Sequence, residues 1–306
     1  MNRWYLALSL NCLIVSTVSA QTASLHPPVI DMHVHGTNTI PVELMNRMKS
    51  LNIRYAFVAN LAPEVSLWNS AMSPTQFLSS LTFPCPDGQA PFVDRPCWGS
   101  SQEFPDTTWL RDQLRAGNIK GFGELLPELL GISPDDARLE PYWQLAEEFD
   151  IPVAIHMGPG PPAAAYGLTP ATTKLKAFRM AAGDPILLED VLLRHKKLRL
   201  VVMHAGWPFL DSMIAMLYAH PNLYVDVGGL QAESMVPRAS YYRHLRSLVE
   251  SGFSKRIVFG SDFPTQVEAG ISAIVGADFL SSEQKSDILC SNAARFLRLD
   301  LSVCKP

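Results

Sequence analysis

His33 and His35 stand two residues apart at the end of the apolar run VIDMHVHG, residues 29–36. On a β-strand, residues i and i+2 project from the same face, with a rise of about 3.3 Å per residue. Two imidazoles side by side at a strand end are half of an ion site. Four further apolar runs, GFGEL, VAIH, VVMH and VFGSD, bring Glu124, His156, His204 and Asp262 to their C-terminal ends. Histidine is the commonest metal ligand, and carboxylates complete the usual donor set for zinc, manganese or iron. Taken singly, each of these residues is as readily a hydrogen-bonded structural group. Glu124 in particular fits either a ligand role or one of pairing with an arginine or orienting a histidine. Their joint placement calls for a fold that brings five strand ends to one mouth.

The elements between them supply such a fold. Strand-like runs at 29–35, 53–61, 76–84, 119–125, 151–158, 198–206, 222–229 and 256–264 alternate with helical stretches such as VELMNRMKSL, TTWLRDQLRAG and EPYWQLAEEFD. Two more helical segments, 266–278 and 281–299, close the chain. Eight short apolar strands separated by amphipathic helices in a chain of this length predict an α/β fold, a (β/α)₈ TIM barrel with extra C-terminal helices. A doubly wound sheet would require a glycine-rich turn after an early strand, and GFGELL at 121–126 lacks the third glycine and comes in mid-chain. No linker or repeat divides the chain, so residues 21–306 read as one barrel domain. Barrels of this type carry their sites on the C-terminal side of the sheet, where the loops 62–75, 85–105, 158–183 and 229–240 would set specificity. Trp98 and Tyr166 are available there as pocket walls or as local packing groups.

Residues 1–20, MNRWYLALSLNCLIVSTVSA, carry a basic residue, an apolar stretch and the small residues Val18, Ser19 and Ala20. This is the layout of a secretory signal peptide cleaved after Ala20, and it is too short and interrupted to span a bilayer. A lipid anchor on Cys12 would require a small residue where Asn11 stands. The mature protein is then expected in the periplasm or outside the cell, with no membrane attachment. Cys85, Cys97, Cys290 and Cys304 remain, an even number suited to an oxidising compartment. Three connectivities exist; the pairs local in sequence, Cys85–Cys97 and Cys290–Cys304, close the shortest loops, and buried free thiols are the alternative. A formal net charge of −4 and the absence of a basic stripe exclude nucleic acid as a partner.

The ordered set DMHVHG, KGFGEL, VAIHMG, VVMHAGW, FGSDFP and SDILCSNAARFLRL resembles the amidohydrolase superfamily, in particular its amidohydrolase-related branch of metal-dependent barrel enzymes. The resemblance spans almost the whole mature chain. It implies that His33, His35, His156 and Asp262 ligate a divalent ion, zinc before manganese or iron, with one or two ions per chain. It implies that His204 is a second-metal ligand or an electrophile that polarises the substrate. Some relatives place a carboxylate or a carboxylated lysine where Glu124 stands, so Glu124 joins the expected metal ligands; with no lysine there, carboxylysine is excluded.

A divalent ion with an open position lowers the pKa of water from 15.7 toward about 7 and supplies hydroxide at neutral pH. Asp262 is then the expected proton carrier and His204 an oxyanion stabiliser, together the catalytic pair. Asp31 and Asp226 are available to orient histidines from behind or to serve as ordinary structural groups. The chain has no GxSxG, no HExxH and no phosphate-binding loop. The expected activity is hydrolysis of an amide, lactone or ester of a small molecule. The alternative within the same branch is a nonoxidative decarboxylase, which would need a carboxylate-binding arginine; Arg179 and Arg238 lie in strand-to-helix connections that could offer one. A non-enzymatic binding protein on the same scaffold is the remaining class.

Overall fold

Val29 to His35 is buried along almost its whole length, on both faces. That is the signature of a strand sealed between other elements, and a parallel sheet covered on both sides produces it. The computed structural model describes residues 26–169, 172–262 and 266–305. The expected signal peptide, residues 1–20, lies outside the described residues, as do Phe263 and Pro264 of the last strand-end motif. Eight parallel strands follow one another in sequence order: β1 (Val29–His35), β2 (Ile53–Asn60), β3 (Phe77–Phe83), β4 (Gly121–Leu125), β5 (Pro152–His156), β6 (Arg199–Met203), β7 (Leu223–Asp226) and β8 (Ile257–Val258). The sheet closes on itself across the β8–β1 seam. Met32 N–H donates to Phe259 O at 2.9 Å, and Asp262 N–H donates to His33 O at 2.9 Å. The fold is the expected TIM barrel.

Helices α1 (Pro41–Ser50), α2 (Val65–Ala71), α3 (Thr107–Arg115), α4 (Glu140–Glu148), α5 (Glu189–Arg194), α6 (Leu210–Ala219), α7 (Arg238–Leu248) and α8 (Val267–Val275) form the outer layer. Helix α3 shows why its segment folds this way: the Asp106 carboxylate caps the Trp109 amide at 2.8 Å, and Leu110 and Leu114 turn to the core. After β2 the chain forms α2 where the sequence suggested only a loop, with Val65 and Trp68 buried against the sheet. The C-terminal segment runs as α9 (Ser282–Ser286), a π-helical turn and α10 (Asn292–Leu297).

The core has two parts. Strand residues such as Val153, Leu200 and Val202 face the helices. Their neighbours Ala154, Val201 and Met203 fill the barrel interior with Ile30, Met32 and Phe57. Ala293, Ala294 and Phe296 of α10 join that inner cluster and plug one end of the barrel. The strand alternation is broken at two places. In β1 the register slips between Asp31 and Val34, so that Met32 lies inside while Val34 lies outside. In β4 Phe122 and Leu125 both face outward with a slip between them. These are β-bulges, which re-aim side chains at strand ends. The two bulges aim His33 and Glu124 at the same space.

Cys85 and Cys97 have a Cα–Cα distance of 6.5 Å, and Cys290 and Cys304 one of 5.7 Å; both are spacings a disulfide spans, and the structure joins both pairs. The first closes a loop beside the barrel mouth and the second ties the π-helical turn before α10 to the chain end.

Candidate metal centre and pocket

His33 is wholly buried at the end of β1. Its Nδ1 lies 3.1 Å from Asp226 Oδ2 at the end of β7. Asp226 Oδ1 in turn accepts from Gly228 N–H at 2.7 Å and His204 N–H at 3.2 Å. Such a carboxylate behind a histidine fixes its ring and tautomer. Asp226 therefore fills the orienting role. Asp31 does not touch an imidazole: its Oδ1 accepts the backbone N–H groups of His33 and Ser261, clamping β1 to the end of β8. The backbone around His33 has to come close. A Cβ on Gly228 would meet His33 Nδ1 at 2.7 Å, and one on Gly260 would meet His33 Cβ at 2.7 Å.

His33 Nε2 points the other way; neither ring nitrogen makes a hydrogen bond of good geometry, Nδ1 having only the 3.1 Å ion-pair contact with Asp226. Nε2 faces Asp262 Oδ1 at 3.6 Å and Glu124 Oε2 at 3.9 Å. His35 Nε2 stands 3.1 Å from the same Asp262 oxygen and 3.6 Å from the same Glu124 oxygen. His204 Nε2 faces Glu124 Oε1 at 3.5 Å, while its Nδ1–H donates to Gly228 O at 2.8 Å. His204 and Asp262 both hold left-handed backbone, φ 55° and 58°, a conformation that non-glycine residues keep only where the surroundings enforce it.

Two overlapping donor groups result: His33 with His35 and Asp262, and His33 with Glu124 and His204. Bonds of 2.0–2.1 Å to a tetrahedral ion place donors about 3.4 Å apart, and the separations of 3.1 and 3.6 Å from Asp262 Oδ1 in the first group bracket that value. Two histidines, one carboxylate and an open fourth side is the usual ligand set of a catalytic site. His156, expected as a ligand, belongs to neither group. Its ring stands 4.8 Å from that of His204, and its Nδ1 lies 2.9 Å from Glu128 Oε1.

The electrostatics ask for a cation. Burial opposes ionisation of Glu124, yet the bond with His204 and the charges of His33, His156 and His35 outweigh it and hold the carboxyl down to about 2. Burial likewise opposes the charge on Asp262, but His33, His35 and His204 keep it well below the usual carboxylate range. His204 is driven the other way. Burial disfavours its charged form, while Glu124, Asp262 and Asp226 lift it to about 10. The ion-pair contacts of these three carboxylates are with histidines, so a proton or a metal ion must balance them. An orphaned buried His33 Nε2, an orphaned Glu124 Oε1 and this charge pattern fit a divalent ion.

The centre forms the floor of a cavity of about 860 Å³. His35, Glu124, Glu128, His156, His204 and Asp262 supply its imidazoles and carboxylates. Of the loops expected to shape it, 85–105, 158–183 and 229–240 do so, whereas residues 62–75 contribute no wall. Tyr166 lines the cavity; Trp98 does not, its Nε1–H donating to Gln102 O at 2.7 Å. Arg179 and Arg238 are turned elsewhere. Arg179 Nη1 donates to the carbonyls of Ala177 and Phe178, and Arg238 pairs with Glu233 at 3.1 Å. Glu128 is the member that sequence reasoning missed. It is fully buried and sits four positions after Glu124 in GELLPEL, where nothing marks it as more than a helix-start residue.

The family model for amidohydrolases matches residues 97–299 of this chain, more than half of its 306 residues. No curated protein matches the sequence significantly. Among solved structures, similar chains include a probable 2-pyrone-4,6-dicarboxylic acid hydrolase from Acinetobacter baumannii with citric acid bound, at 15% identity and TM-score 0.62, covering 89% of this chain and 99% of that one. A 2,6-dihydroxybenzoate decarboxylase from Rhizobium aligns at 14% identity and TM-score 0.58, covering 89% and 99%. A dihydroxybenzoic acid decarboxylase from Polaromonas sp. JS666, with manganese bound, aligns at 13% identity and TM-score 0.57, covering 90% and 98%. At these identities the likeness is one of fold. The family match rests on the sequence itself, and by it the chain belongs to the amidohydrolases, as an enzyme of a superfamily whose members use divalent metal ions.

Proposed function

We propose that this enzyme is an exported, metal-dependent hydrolase that cleaves an amide, lactone or ester bond of a small molecule. The observation that carries the reading is the open three-donor group His33, His35 and Asp262 beside the Glu124–His204 pair, at the floor of a cavity of about 860 Å³. His33, His35 and Asp262 would hold one divalent ion, with Glu124 bordering it. Such an ion supplies Lewis acidity toward water and a substrate carbonyl.

The chain's own groups do the rest. Asp226 and Gly228 O fix the rings of His33 and His204, so that both Nε2 atoms face the reacting space. Asp262, ionised and partly open to the cavity, can accept the proton of an attacking water at Oδ2. His204 Nε2–H can donate to the oxygen on which charge develops or to the leaving group. Glu124 holds His204 protonated until that transfer. His156, fixed by Glu128, borders the same space.

Hydrolysis is favoured over decarboxylation because neither candidate arginine reaches the cavity. Export is supported by the layout of residues 1–20 and by the two cysteine pairs, which suit an oxidising compartment. The test is a side-by-side assay of the metal-replete mature protein, with a panel of esters, lactones and amides against release of carbon dioxide from hydroxybenzoates. Chelator-sensitive hydrolysis is expected. Carbon dioxide release without hydrolysis would overturn the reading.

A further inference from the structure

The carboxylates and imidazoles of the cavity lie on its floor, and its walls are mainly apolar, with Thr37, Thr82, Tyr166 and Trp207 as the other polar side chains of the lining. One wall is Ala90–Val93, inside the loop closed by Cys85 and Cys97; another is Pro159–Tyr166, after β5; a third is Leu230, Met235 and Val236, after β7. At the mouth, Phe92, Tyr166, Met180 and Met235 stand 39%, 79%, 53% and 56% exposed. Single exposed apolar residues need no explanation, but four around one opening make a patch that marks a binding surface.

What the walls lack is equally specific. Among the described residues no arginine or lysine lines the cavity. The five internal residues outside that set are Pro170, Ala171, Phe263, Pro264 and Thr265, none of them cationic. Lys174, the nearby candidate, has its Nζ 3.3 Å from both Val93 O and Asp94 Oδ1, tying two wall loops together from outside the cavity. Pro159, Pro161 and Pro162 also remove three backbone N–H groups that could otherwise hold an anion. A second charged group on a substrate would lose its water here and find no partner.

We infer that the substrate is uncharged apart from its reacting bond and carries an extended apolar arm, alkyl or aryl, of roughly six to ten carbons that runs from the floor to the rim. The inference rests on the hydrolase reading for the bond that is cut, but not for the arm that is held. Burial of each methylene along the wall should strengthen binding by about twofold to fourfold.

The test separates the two parts. Metal-replete protein is titrated by calorimetry with 2-decanone and with 9-oxodecanoate, a matched pair in which only the far end is charged. The corresponding p-nitrophenyl esters, octanoate and the monoester of octanedioate, are assayed for hydrolysis. The neutral ketone should bind at least about tenfold more tightly. The variant Phe92→Arg, placed at the solvent edge, should narrow or reverse that preference. Equal or tighter binding of 9-oxodecanoate to the unaltered protein would overturn the inference. If the ketones separate as expected and no ester is cut, the hydrolase reading fails and the substrate class stands. If esters are cut without regard to the distal charge, the substrate class fails and the hydrolase reading stands.

Discussion

The carboxylate of Glu128 is buried beside His156 Nδ1, just as that of Asp226 is buried beside His33 Nδ1. A carboxylate behind an imidazole usually accounts for about 10- to 100-fold in affinity or activity. Glu128→Gln, which keeps the shape and removes the charge, should therefore lower kcat by about 10- to 100-fold with a smaller effect on KM. Steady-state kinetics decide this, and a change below about twofold would remove Glu128 from the machinery. Gly228→Ala tests the other side of His33. Its methyl would need the space that His33 Nδ1 occupies at 2.7 Å, so metal affinity should fall even though no donor has been changed. Titration with a chromophoric chelator reads that loss. His33, His35, Glu124, His204 and Asp262 were legible in the sequence because titratable residues at the ends of apolar strands are costly to bury without purpose. Glu128 and Gly228 were not. One has no strand around it, and the need for the other arises only when the chain after β7 meets the end of β1 at the barrel mouth.

Each strand end reaches the mouth by its own local device. The alternation of GFGEL alone would turn Glu124 outward with Phe122, and the bulge at Gly123, with φ 152°, turns it inward. No periodicity announces a bulge, which is why the role of Glu124 stayed open at the level of sequence. The paired direction of His33 and His35 was legible from the two-residue period of a strand, while the slip between Asp31 and Val34, which includes His33, was not. Helix α7 buries Tyr241, with Arg238 at 6.0 Å over its ring, together with Leu245 and Leu248. It also carries His244, whose Nε2–H donates to Ala205 O at 2.9 Å behind the site. Burial lowers the His244 pKa from 6.5, with the Ala205 bond opposing in part. Below about pH 6.5 the unfolded chain then binds more protons than the folded one. This contribution to stability is complete above about pH 6.5 and is lost as the pH falls toward the folded value. Urea midpoints at about pH 7.5 and about pH 5.5 should drop less in His244→Gln than in the parent; equal drops would contradict the assignment. The double change Cys85→Ser and Cys97→Ser opens a 12-residue separation, for which chain entropy gives about 3 kcal/mol. Denaturant unfolding should show a loss approaching that size, and the Ala90–Val93 wall should lose its definition with it.

The barrel as a whole was readable from eight alternations of apolar strand and amphipathic helix, because each βα unit can bury its strand only against its neighbours. Closure was implied by that count, and Met32–Phe259 and Asp262–His33 supply the bonds that achieve it. The cavity was not readable. Its walls come from three loops that meet only after closure, and the GPGPPAAAYG stretch gives composition without shape. Among the described residues no helix is long and apolar enough to cross a membrane. Within the barrel's cavity the carboxylates and imidazoles gather at one point below a mainly apolar mouth, which places the whole functional account on that point. The measurement that tests it most directly is elemental analysis of the mature protein purified without chelator, with ions counted per chain. One divalent ion per chain, lost in His33→Ala while the protein keeps its circular dichroism, is the predicted result. A metal-replete preparation that holds no ion would contradict the centre built from His33, His35 and Asp262, and two ions per chain would contradict its single occupancy.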